Sequence, residues 1–564
     1  MALVIPSVSY PPKQRATAPR LLALLMVILP IIVVGVVVMT YAVNLPYWDD
    51  FLVQDHLLLL KSGSGRQKLR HLFDQHWEHR IIWTRLVFAF FVKINGSLNY
   101  YGLTLIGTSG LLVVLGILIA VFRRLAYPLL YFVPVPFLLF TLQSYENLIW
   151  AMASIQNFWI PAFALGTFYW LSQNTPFTRW LALGVAVFAT FSGGNGSLLL
   201  IAGLVVLVYQ RQWRFLAMWF IITVLALVGY FYSYHRITFF PSPFRYPASA
   251  WIKAFFVFLG AFGDASPNAG NSPLGVDLTL WITVIIGALV VALMSAFLLS
   301  AYQRFRLAQP DQLSSFLLGC FLFLLATAAI TVYSRVGFAG PGYMLQGRYR
   351  VYSALSLSVV YLFGLYQWRS KPVLSRSVAV FLVITIGQSL FSDYLCLEGI
   401  INQRRRVVAE YFNFLANTPA KRQQALQAVF VPTKPPLFSD QVALLSTTAW
   451  LSVPATTAVD NLTEQPFMYN IPKADAVNPS LTQPDAGSYI FLKSGASTYL
   501  FAARPLRPSS TASGFTPYFT TNGVYAHVLK EKLAPGRYRI GVLTNQNNHI
   551  RLAMTDRSIT FTSL

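Results

Sequence analysis

The sequence predicts an α-helical protein that crosses a membrane many times and ends in a β-rich domain. Of its 564 residues, 55% are hydrophobic and only 11% are Asp, Glu, Lys or Arg, less than half the charged fraction of about 25% in soluble domains. Long apolar runs recur from residue 21 to residue 396, and alternating segments separated by turn residues follow from about residue 435. This composition excludes an ordinary soluble domain, a disordered chain and a coiled coil.

Eleven apolar runs are predicted to cross the membrane. They are residues 21–43, 98–122, 127–142, 150–171, 181–192, 197–210, 215–233, 278–302, 314–333, 351–368 and 378–396. Two of them, 181–192 and 197–210, are short for a span of about 20 residues, so we expect a broken hairpin around residues 192–196. The apolar run 251–263 is assigned to the outer membrane interface, because counting it as a span breaks the alternation of basic loops.

The basic residues set the predicted orientation. The chain carries 42 Lys and Arg against 19 Asp and Glu, and the basic residues are denser in the gaps that this topology places inside the cell. We therefore predict a cytoplasmic N-terminus. Run 21–43 is interpreted as a retained first span, since it is longer than the apolar core of about 7–15 residues in a cleaved signal peptide. The net charge of +23 is attributed to topology and anionic headgroups, not to nucleic-acid binding.

Three regions follow from the change in composition. Residues 1–399 are predicted to form the transmembrane domain that carries the candidate catalytic residues, with a large first outer loop at 44–97. Residues 400–434 place a basic stretch, Arg404 to Arg406, among apolar positions, which is typical of one or two amphipathic helices lying on the membrane. Residues 435–564 are predicted to form a β-sandwich or jelly-roll-like domain outside the cytoplasm.

The first outer loop holds the candidate chemistry. Its acidic and imidazole side chains are Asp49, Asp50, Asp55, His56, His71, Asp74, His76, Glu78 and His79. Asp49 and Asp50 follow Trp48 where the first span leaves the lipid, so burial and basic neighbours can tune their pKa values. Either carboxylate could then deprotonate an acceptor hydroxyl. The alternative is a capping pair at the interface, since Trp and Asp are common at span ends.

A second cluster lies in the same loop, at residues 76–80. His76 and His79 are three residues apart, so they would share a helix face and could bind a metal such as zinc. The string lacks the His-Glu-x-x-His spacing of zinc proteases. We therefore favour a role for these histidines and Arg80 in shaping the pocket or in hydrogen bonding to substrate hydroxyls or phosphate. Glu78 is the next candidate for a catalytic carboxylate.

Other outer positions are candidates for substrate binding. Glu146 and Asn147 lie in a short outer turn, and Asn195 lies in the interruption at 192–196, where unwound backbone at membrane depth is tolerated if it lines a cavity. Before a late span stand Arg348, Tyr349 and Arg350. The two arginines could hold a phosphate at the lipid–water boundary, and the alternative role is interfacial anchoring.

Together these features resemble the GT-C superfamily, integral membrane glycosyltransferases that use polyprenyl-phosphate-linked sugars. The shared features are an Asp-rich first outer loop, many spans, an outer arginine near a late span and a C-terminal extracytoplasmic domain. The short strings at 48–50, 76–80 and 346–349 look like those of bacterial members. The resemblance is architectural over most of the chain and specific only at these strings.

The resemblance implies roles for particular residues. In that superfamily an acidic residue of the first outer loop serves as base or metal ligand, a position that Asp49 or Asp50 matches, and an outer arginine holds the lipid phosphate, for which Arg348 is the nearest match. Some members use a divalent cation, so Mg²⁺ or Mn²⁺ is a candidate cofactor. The implied location is the bacterial inner membrane, with a polyprenyl-phosphate-linked sugar as donor and a glycan or lipid-linked acceptor.

Two other functions compete with this expectation. A transporter or flippase for a polar or lipid-linked substrate would explain broken helices, but transporters often carry ionisable residues inside their spans, whereas the predicted spans here hold Asp393 alone. A noncatalytic membrane subunit that presents its β-rich domain to partners is the third interpretation. The absence of a recognisable nucleotide-binding domain fits a reaction outside the cytoplasm, where no nucleotide sugar is available.

Overall fold

The computed structural model describes residues 17–237, 240–266, 276–367, 374–432, 436–465, 467–506, 523–547 and 549–562. Its helices are α1 (Thr17–Tyr41), α2 (Asp50–Ser62), α3 (Gly65–Phe73), α4 (Ile82–Asn95), α5 (Tyr100–Arg123), α6 (Pro134–Leu139), α7 (Tyr145–Ile149), α8 (Ala151–Gln173), α9 (Pro176–Thr190), α10 (Leu198–Tyr209), α11 (Trp213–Phe231), α12 (Ala248–Gly260), α13 (Val276–Arg306), α14 (Gln312–Ala339), α15 (Arg350–Gln367), α16 (Leu374–Asn417), α17 (Ala420–Gln427) and α18 (Val442–Leu445). Its strands are β1 (Gln75–His76), β2 (His79–Arg80), β3 (Thr463–Glu464), β4 (Met468–Lys473), β5 (Gly487–Lys493), β6 (Thr498–Ala502), β7 (Arg504–Pro505), β8 (Val524–Leu529), β9 (Gly536–Gln546) and β10 (His549–Phe561).

Six of the described helices are long and apolar enough to cross a membrane. They are Arg20–Tyr41, Tyr100–Arg123, Trp213–Phe231, Val276–Arg306, Gln312–Leu345 and Ser375–Asn417. All six coincide with predicted runs, so the predicted membrane character of the chain is confirmed by length and composition. Four more runs form α8, α9, α10 and α15, which lie outside this set of six.

The predicted span at 127–142 is wrong. Here the chain forms a 3-10 turn at Leu129–Phe132, the six-residue helix α6 and another 3-10 turn at Leu142–Ser144. Pro134 and Pro136 lack the backbone N–H that a continuous helix needs, which explains the interruption. Every residue from 132 to 150 is nevertheless buried. The segment therefore lies inside the protein and carries α7 into its interior.

The predicted interruption at 192–196 is confirmed. A turn joins the end of α9 to the start of α10. Gly196 makes this turn possible, because a Cβ atom there would overlap the carbonyl of Ala189 at the end of α9.

The apolar run at 251–263 forms α12 and the 3-10 turn that follows it. Gly260 and Gly287 bring the backbones of α12 and α13 together, because a Cβ at either position would overlap the other helix. Small residues at such contacts allow helices to approach closely.

Helix α16 is continuous through position 399, so the predicted boundary between residues 399 and 400 falls inside a helix. The expectation that 400–434 lies on the membrane is corrected by its contacts with protein. Arg404 donates to both carboxylate oxygens of Asp485 at 2.6 and 2.7 Å. Arg405 is fully buried, with its guanidinium 4.3 Å from the ring centroid of Tyr489. A pattern of basic residues among apolar ones is typical of a helix on a lipid surface, but here Arg404 and Arg405 contact the C-terminal sheets instead.

The C-terminal region contains two four-stranded sheets, in the orders β10-β9-β5-β6 and β3-β4-β8-β7, with antiparallel pairing throughout. The alternating segments expected to form strands, at 488–493, 499–503, 526–530, 537–544 and 550–562, are confirmed, and each end agrees within two residues. Side chains from both sheets share one buried cluster that includes Ile471 and Ile490. Strand β4 was not predicted, and it contains Pro472, a residue that argues against an interior strand.

Candidate functional site

The turn between α1 and α2 positions Asp49. Trp48 has a left-handed φ of 49°, a conformation that costs a residue with a side chain about 1–2 kcal/mol. Its ring stacks on Trp150 with centroids 6.1 Å apart, and Tyr47 meets it edge-on. This packing holds the turn. Asp49 precedes α2 but makes no capping hydrogen bond, so the capping alternative does not describe it.

The neighbouring carboxylate has a different environment. Asp50 is 1% exposed, and its two oxygens accept the backbone N–H groups of Tyr47 at 3.0 Å and Met152 at 3.1 Å. Burial raises the pKa of Asp50 well above its ordinary value of 3.8, and the two N–H groups only partly oppose that rise. Asp50 therefore ties the first loop to the start of α8, and Asp49 is the member of the pair left to face the site.

A hairpin from the same loop contacts Asp49. Strands β1 and β2 pair His76 with His79, and Trp77 between them has a φ of 49°. The indole N–H of Trp77 donates to Asp49 Oδ1 at 2.9 Å. Burial raises the pKa of Asp49 above 3.8, although this bond and the charges of Arg348 and Lys532 oppose the shift. Two strained tryptophans thus flank one carboxylate, a pattern that is common at functional sites.

The histidines do not share a helix face, because they lie on opposite strands of this hairpin, which corrects the prediction. Burial, followed by the charge of Arg85, lowers the pKa of His76 to about 3. Burial, followed by the charge of Arg335, lowers the pKa of His79 to about 4. The ring of His79 lies against Gly194, where a Cβ atom would be 2.5 Å from Nδ1. Both imidazoles are therefore neutral near pH 7 and shape the wall of the site.

The remaining residues of this cluster have protein partners. Glu78 Oε2 lies 2.6 Å from Nη2 of Arg335 on α14, an ion pair between the first loop and a predicted span end that the sequence did not indicate. Arg80 is buried and donates from all three guanidinium nitrogens to the backbone carbonyls of Phe73, Tyr230 and Tyr232. Arg80 is thus a structural residue here, not the substrate contact predicted for it.

Glu146 and Asn147 hold the backbone of Arg348, one of the two arginines predicted to bind a phosphate. Glu146 Oε2 accepts the N–H of Arg348 at 3.2 Å, and Asn147 Nδ2 donates to the carbonyl of Arg348 at 3.1 Å. Asn157 donates to the Asn147 oxygen at 2.9 Å and fixes its orientation. Both holding residues are buried on α7. The outer turn that carries Glu146 and Asn147 therefore contacts the segment that carries Arg348. The Glu146 and Asn147 side chains position Arg348 instead of facing a substrate.

The charges of Arg348 and Asp49 interact, and neither side chain belongs to an ion pair among the described residues. Its Nη2 donates to the Tyr343 hydroxyl at 2.8 Å, and its guanidinium lies 5.3 Å from the ring centroid of Tyr349. Its Nε has no hydrogen-bond partner within the described chain. Burial disfavours the cation, but Tyr349, Tyr343, Glu146 and Asp49 raise the pKa of Arg348 well above its ordinary value. The guanidinium is charged at every physiological pH and available to an anion.

Arg350 has the opposite character, although it is only two residues away. It is 1% exposed and forms a 2.6 Å ion pair with Asp264. Its Nε and Nη1 donate to the carbonyls of Leu345 and Asp264, and the ion-paired Nη2 also donates to the carbonyl of Ser266. Arg350 is therefore occupied by protein partners, and a phosphate contact stays a prediction for Arg348 alone.

Asn195 also has partners within the bundle. It donates to Thr327 Oγ1 at 3.3 Å and to the Tyr352 hydroxyl at 3.0 Å. The interruption between α9 and α10 is thereby linked to α14 and α15, next to the wall formed by His79 and Gly194.

The C-terminal region contributes a residue that the sequence analysis missed. Lys532 Nζ lies 4.5 Å from the ring centroid of Trp48 and 2.6 Å from Glu410 Oε2 on α16. The charge of the preceding residue, Glu531, interacts with Asp49. The one available signal was a charged Lys-Glu-Lys string between apolar strands. Strand pattern alone could not indicate that this string reaches the first loop.

No group of three or more His, Cys, Asp or Glu side chains converges as a metal site within the described ranges. His76 and His79 have no third such partner there. The candidate site is instead a carboxylate and an arginine, Asp49 and Arg348, between aromatic rings.

Comparisons with protein-family models, with curated proteins and with solved structures find no match to the chain. The resemblance to the GT-C superfamily therefore rests on the sequence features described above.

The contrast between the two carboxylates predicts different stabilities for their amide variants. Asp50→Asn replaces one accepting oxygen by an NH₂ group that faces a backbone N–H, so the free energy of unfolding should fall by about 1–3 kcal/mol. Asp49→Asn can still accept from Trp77 and should unfold like the wild type. Thermal unfolding of the detergent-solubilised protein measures both, with Asp55→Asn as a control at a half-buried surface ion pair with Arg422, a kind of pair that contributes about 0–1 kcal/mol. Equal destabilisation by Asp49→Asn and Asp50→Asn would contradict the separate roles.

Proposed function

We propose that this protein is a membrane glycosyltransferase that moves a sugar from a polyprenyl-phosphate donor to an extracytoplasmic glycan or lipid-linked acceptor. The observation that carries the proposal is the approach of Asp49 to Arg348 at the end of an apolar helix bundle. The two side chains are close enough for their charges to interact, yet they form no ion pair. Such a pair offers one proton acceptor and one anion-binding cation at a single place.

The chemistry assigns one step to each side chain. Asp49 takes the proton of the acceptor hydroxyl while that oxygen forms a bond to the anomeric carbon of the sugar. The bond between this carbon and the donor phosphate breaks, and the phosphate leaves on its polyprenyl chain. Arg348 binds the phosphate and stabilises the charge that develops on it. Trp48, Trp77 and Tyr349 surround the two groups with aromatic surface and limit the access of water.

The proposal includes a finer topology than the six apolar helices define. We propose a cytoplasmic N-terminus in a bacterial inner membrane and an odd number of membrane crossings, as in the predicted topology, so that the chain after α16 lies outside the cytoplasm. The two sheets then belong to an extracytoplasmic sandwich-like domain beside the first loop. The contact between Lys532 and Trp48 supports this arrangement, because it requires both segments to lie on the same side of the membrane.

Release of lipid phosphate tests the reaction directly. Purified protein is incubated with a set of polyprenyl-phosphate sugars and candidate acceptors, and the freed polyprenyl phosphate is measured. Asp49→Asn should lower turnover about 10²–10⁴-fold, the usual contribution of a general base, while donor binding and thermal stability are retained. Asp55→Asn, which removes a carboxylate of the same loop that is paired with Arg422 at 2.7 Å, should leave turnover unchanged.

The same assay distinguishes the competing explanations. Movement of a lipid-linked substrate across vesicles without release of lipid phosphate would indicate a transporter. Activity that is lost in EDTA and restored by Mg²⁺ or Mn²⁺ would make Asp49 a metal ligand. Wild-type turnover in Asp49→Asn would place the base elsewhere.

The pH dependence of the reaction should report the same group. Because burial raises the pKa of Asp49 above 3.8, kcat/KM should fall as the pH drops through a midpoint above that value, where the base becomes protonated. Asp49→Glu should keep an acid limb with a shifted midpoint. An acid limb that is identical in the wild type and Asp49→Glu would assign it to another group.

Arg348 should determine the use of the donor. Arg348→Ala should weaken the apparent affinity for the donor by about 1–3 kcal/mol, the scale of a lost charge-assisted hydrogen bond. Arg348→Lys should restore only part of it, because an ammonium cannot form a two-pronged contact with phosphate. Donor-dependence kinetics measure both, with the exposed Arg422→Ala as control. Unchanged kinetics in both Arg348 variants would rule out this contact.

Impermeant thiol labelling tests the proposed topology. Cysteines introduced at the exposed positions Ser62 and Ala496 should react in intact spheroplasts, whereas Gln309→Cys should react only after lysis. The native Cys320 and Cys396 are buried, so their background is low. Labelling of Gln309→Cys alone would invert the orientation and place the site on the cytoplasmic side.

A further inference from the structure

Helix α3 of the first loop has no buried residue along its nine positions. Its start is capped, since the N–H of Ser64 donates to Gln67 Oε1 at 2.8 Å. A helix shorter than about 12–15 residues is nevertheless marginal in water, and most helices in proteins are stabilised by packing of an amphipathic face. The described chain covers α3 only in part, which leaves a face available to a second surface.

The two faces of α3 differ in chemistry. Successive residues on a helix point about 100° apart, which places Leu69 and Phe73 on one face and His71 on the opposite face. His71 contacts the protein, with Nδ1 2.8 Å from Asp74 Oδ2 and its ring centroid 6.4 Å from that of His56. Leu69 is 62% exposed. The face of α3 that is turned away from these contacts is therefore apolar.

Three basic side chains border this apolar face. They are Arg66, Lys68 and Arg70, and all three are exposed. None of them belongs to an ion pair between described residues. The carboxylates of the adjoining segments have other partners, since Asp55 lies 2.7 Å from Arg422 and Asp74 lies 2.8 Å from His71. Long basic side chains in this position can cover apolar surface with their stems while their charges stay in a polar layer.

The elements beside α3 expose apolar surface. The ring of Phe73 lies 5.4 Å, between centroids, from that of Phe191 at the end of α9. Arg85 on α4 donates to the carbonyl of Leu72 at 3.0 Å. Helix α4 exposes three large apolar side chains spaced four residues apart, Leu86, Phe90 and Ile94. Such a stripe on a helix of a membrane protein is expected to face lipid, so α3 lies next to the bilayer.

We propose that α3 docks on the bilayer surface and binds anionic phospholipid headgroups through its three basic side chains. A helix with an apolar face and basic borders lies in the interface with its apolar side chains at the boundary of the acyl chains. Basic residues at this depth are attracted to anionic lipids by their charge alone. Because α3 leads directly into the hairpin that carries Trp77 to Asp49, this docking places the candidate site near the headgroups. The inference does not depend on the proposed reaction.

Spin-label accessibility tests the docking on the full chain in lipid nanodiscs. A label is attached at Leu69→Cys, with Leu225→Cys on the apolar helix α11 and Ala496→Cys in the turn between β5 and β6 as controls. Leu69 and Leu225 are matched in exposure, at 62% and 64%. In nanodiscs that contain phosphatidylglycerol, the labels at 69 and 225 should be more accessible to oxygen than to a water-soluble nickel chelate. The label at 496 should show the reverse.

A change of lipid and of charge tests the basic residues. Phosphatidylcholine alone, or high salt, should lower the ratio of oxygen to chelate accessibility at position 69 and leave it unchanged at 225. The combined variant Arg66→Gln, Lys68→Gln and Arg70→Gln should lose this dependence on lipid. Arg66→Lys with Arg70→Lys should retain it, because attraction to the surface needs charge and not the two-pronged contact of arginine.

A matched loss of charge elsewhere is the control. It removes three exposed arginines of the C-terminal sheets, Arg537, Arg551 and Arg557, by substitution with Gln. This variant should keep the lipid dependence at position 69, although its net charge falls by the same amount as in the α3 variant.

Three results would overturn the proposal. A label at 69 that favours the chelate in every lipid lies in water, and one that reaches neither reagent is covered by protein or by a second copy of the chain. An oxygen preference that is equal in both lipids shows docking without recognition of anionic headgroups. These measurements need neither donor nor acceptor, so they leave the kinetic tests of Asp49 and Arg348 unaffected.

Discussion

The buried carboxylate of Asp50 fixes the geometry on which the candidate site depends. It accepts one N–H from the turn that follows α1 and one from the first turn of α8, so two distant segments share a single side chain. An unsatisfied buried N–H costs about 1–3 kcal/mol, which keeps both bonds in place. Because Asp50 is held inward, the preceding residue, Asp49, must emerge on the other side of the turn, beside Trp77.

Buried hydrogen bonds also position Arg348, but they are made to its backbone. Glu146 and Asn147 bind the N–H and the carbonyl of that one residue, and the short helix that carries them is buried because prolines divert the chain into the protein at 134–136. The guanidinium donates to the Tyr343 hydroxyl and has no carboxylate partner among the described residues, in contrast to Arg350, whose nitrogens are bound to Asp264 and neighbouring carbonyls. Because Arg348 is held largely through its backbone, its charge is not compensated by an ion pair.

The C-terminal sheets contribute to the site because α16 does not end at the predicted boundary. Its last turns carry Arg404 and Arg405 onto the sheets and Glu410 onto Lys532, which brings an ammonium group over Trp48. One helix therefore joins the apolar bundle, the sheets and the candidate site.

The sequence by itself determined the membrane character, most helices, five strands, the interruption at 192–196 and the region of the site, because each depends on local apolar pattern, turn residues or a local concentration of charge. It could not separate Asp49 from Asp50 or Arg348 from Arg350, since each pair offers identical chemistry in adjoining positions. Only the tertiary structure distinguishes their environments. The reason is physical: a buried charge is defined by the partners that compensate it, and those partners lie about one hundred residues away, at Met152 for Asp50 and at Asp264 for Arg350.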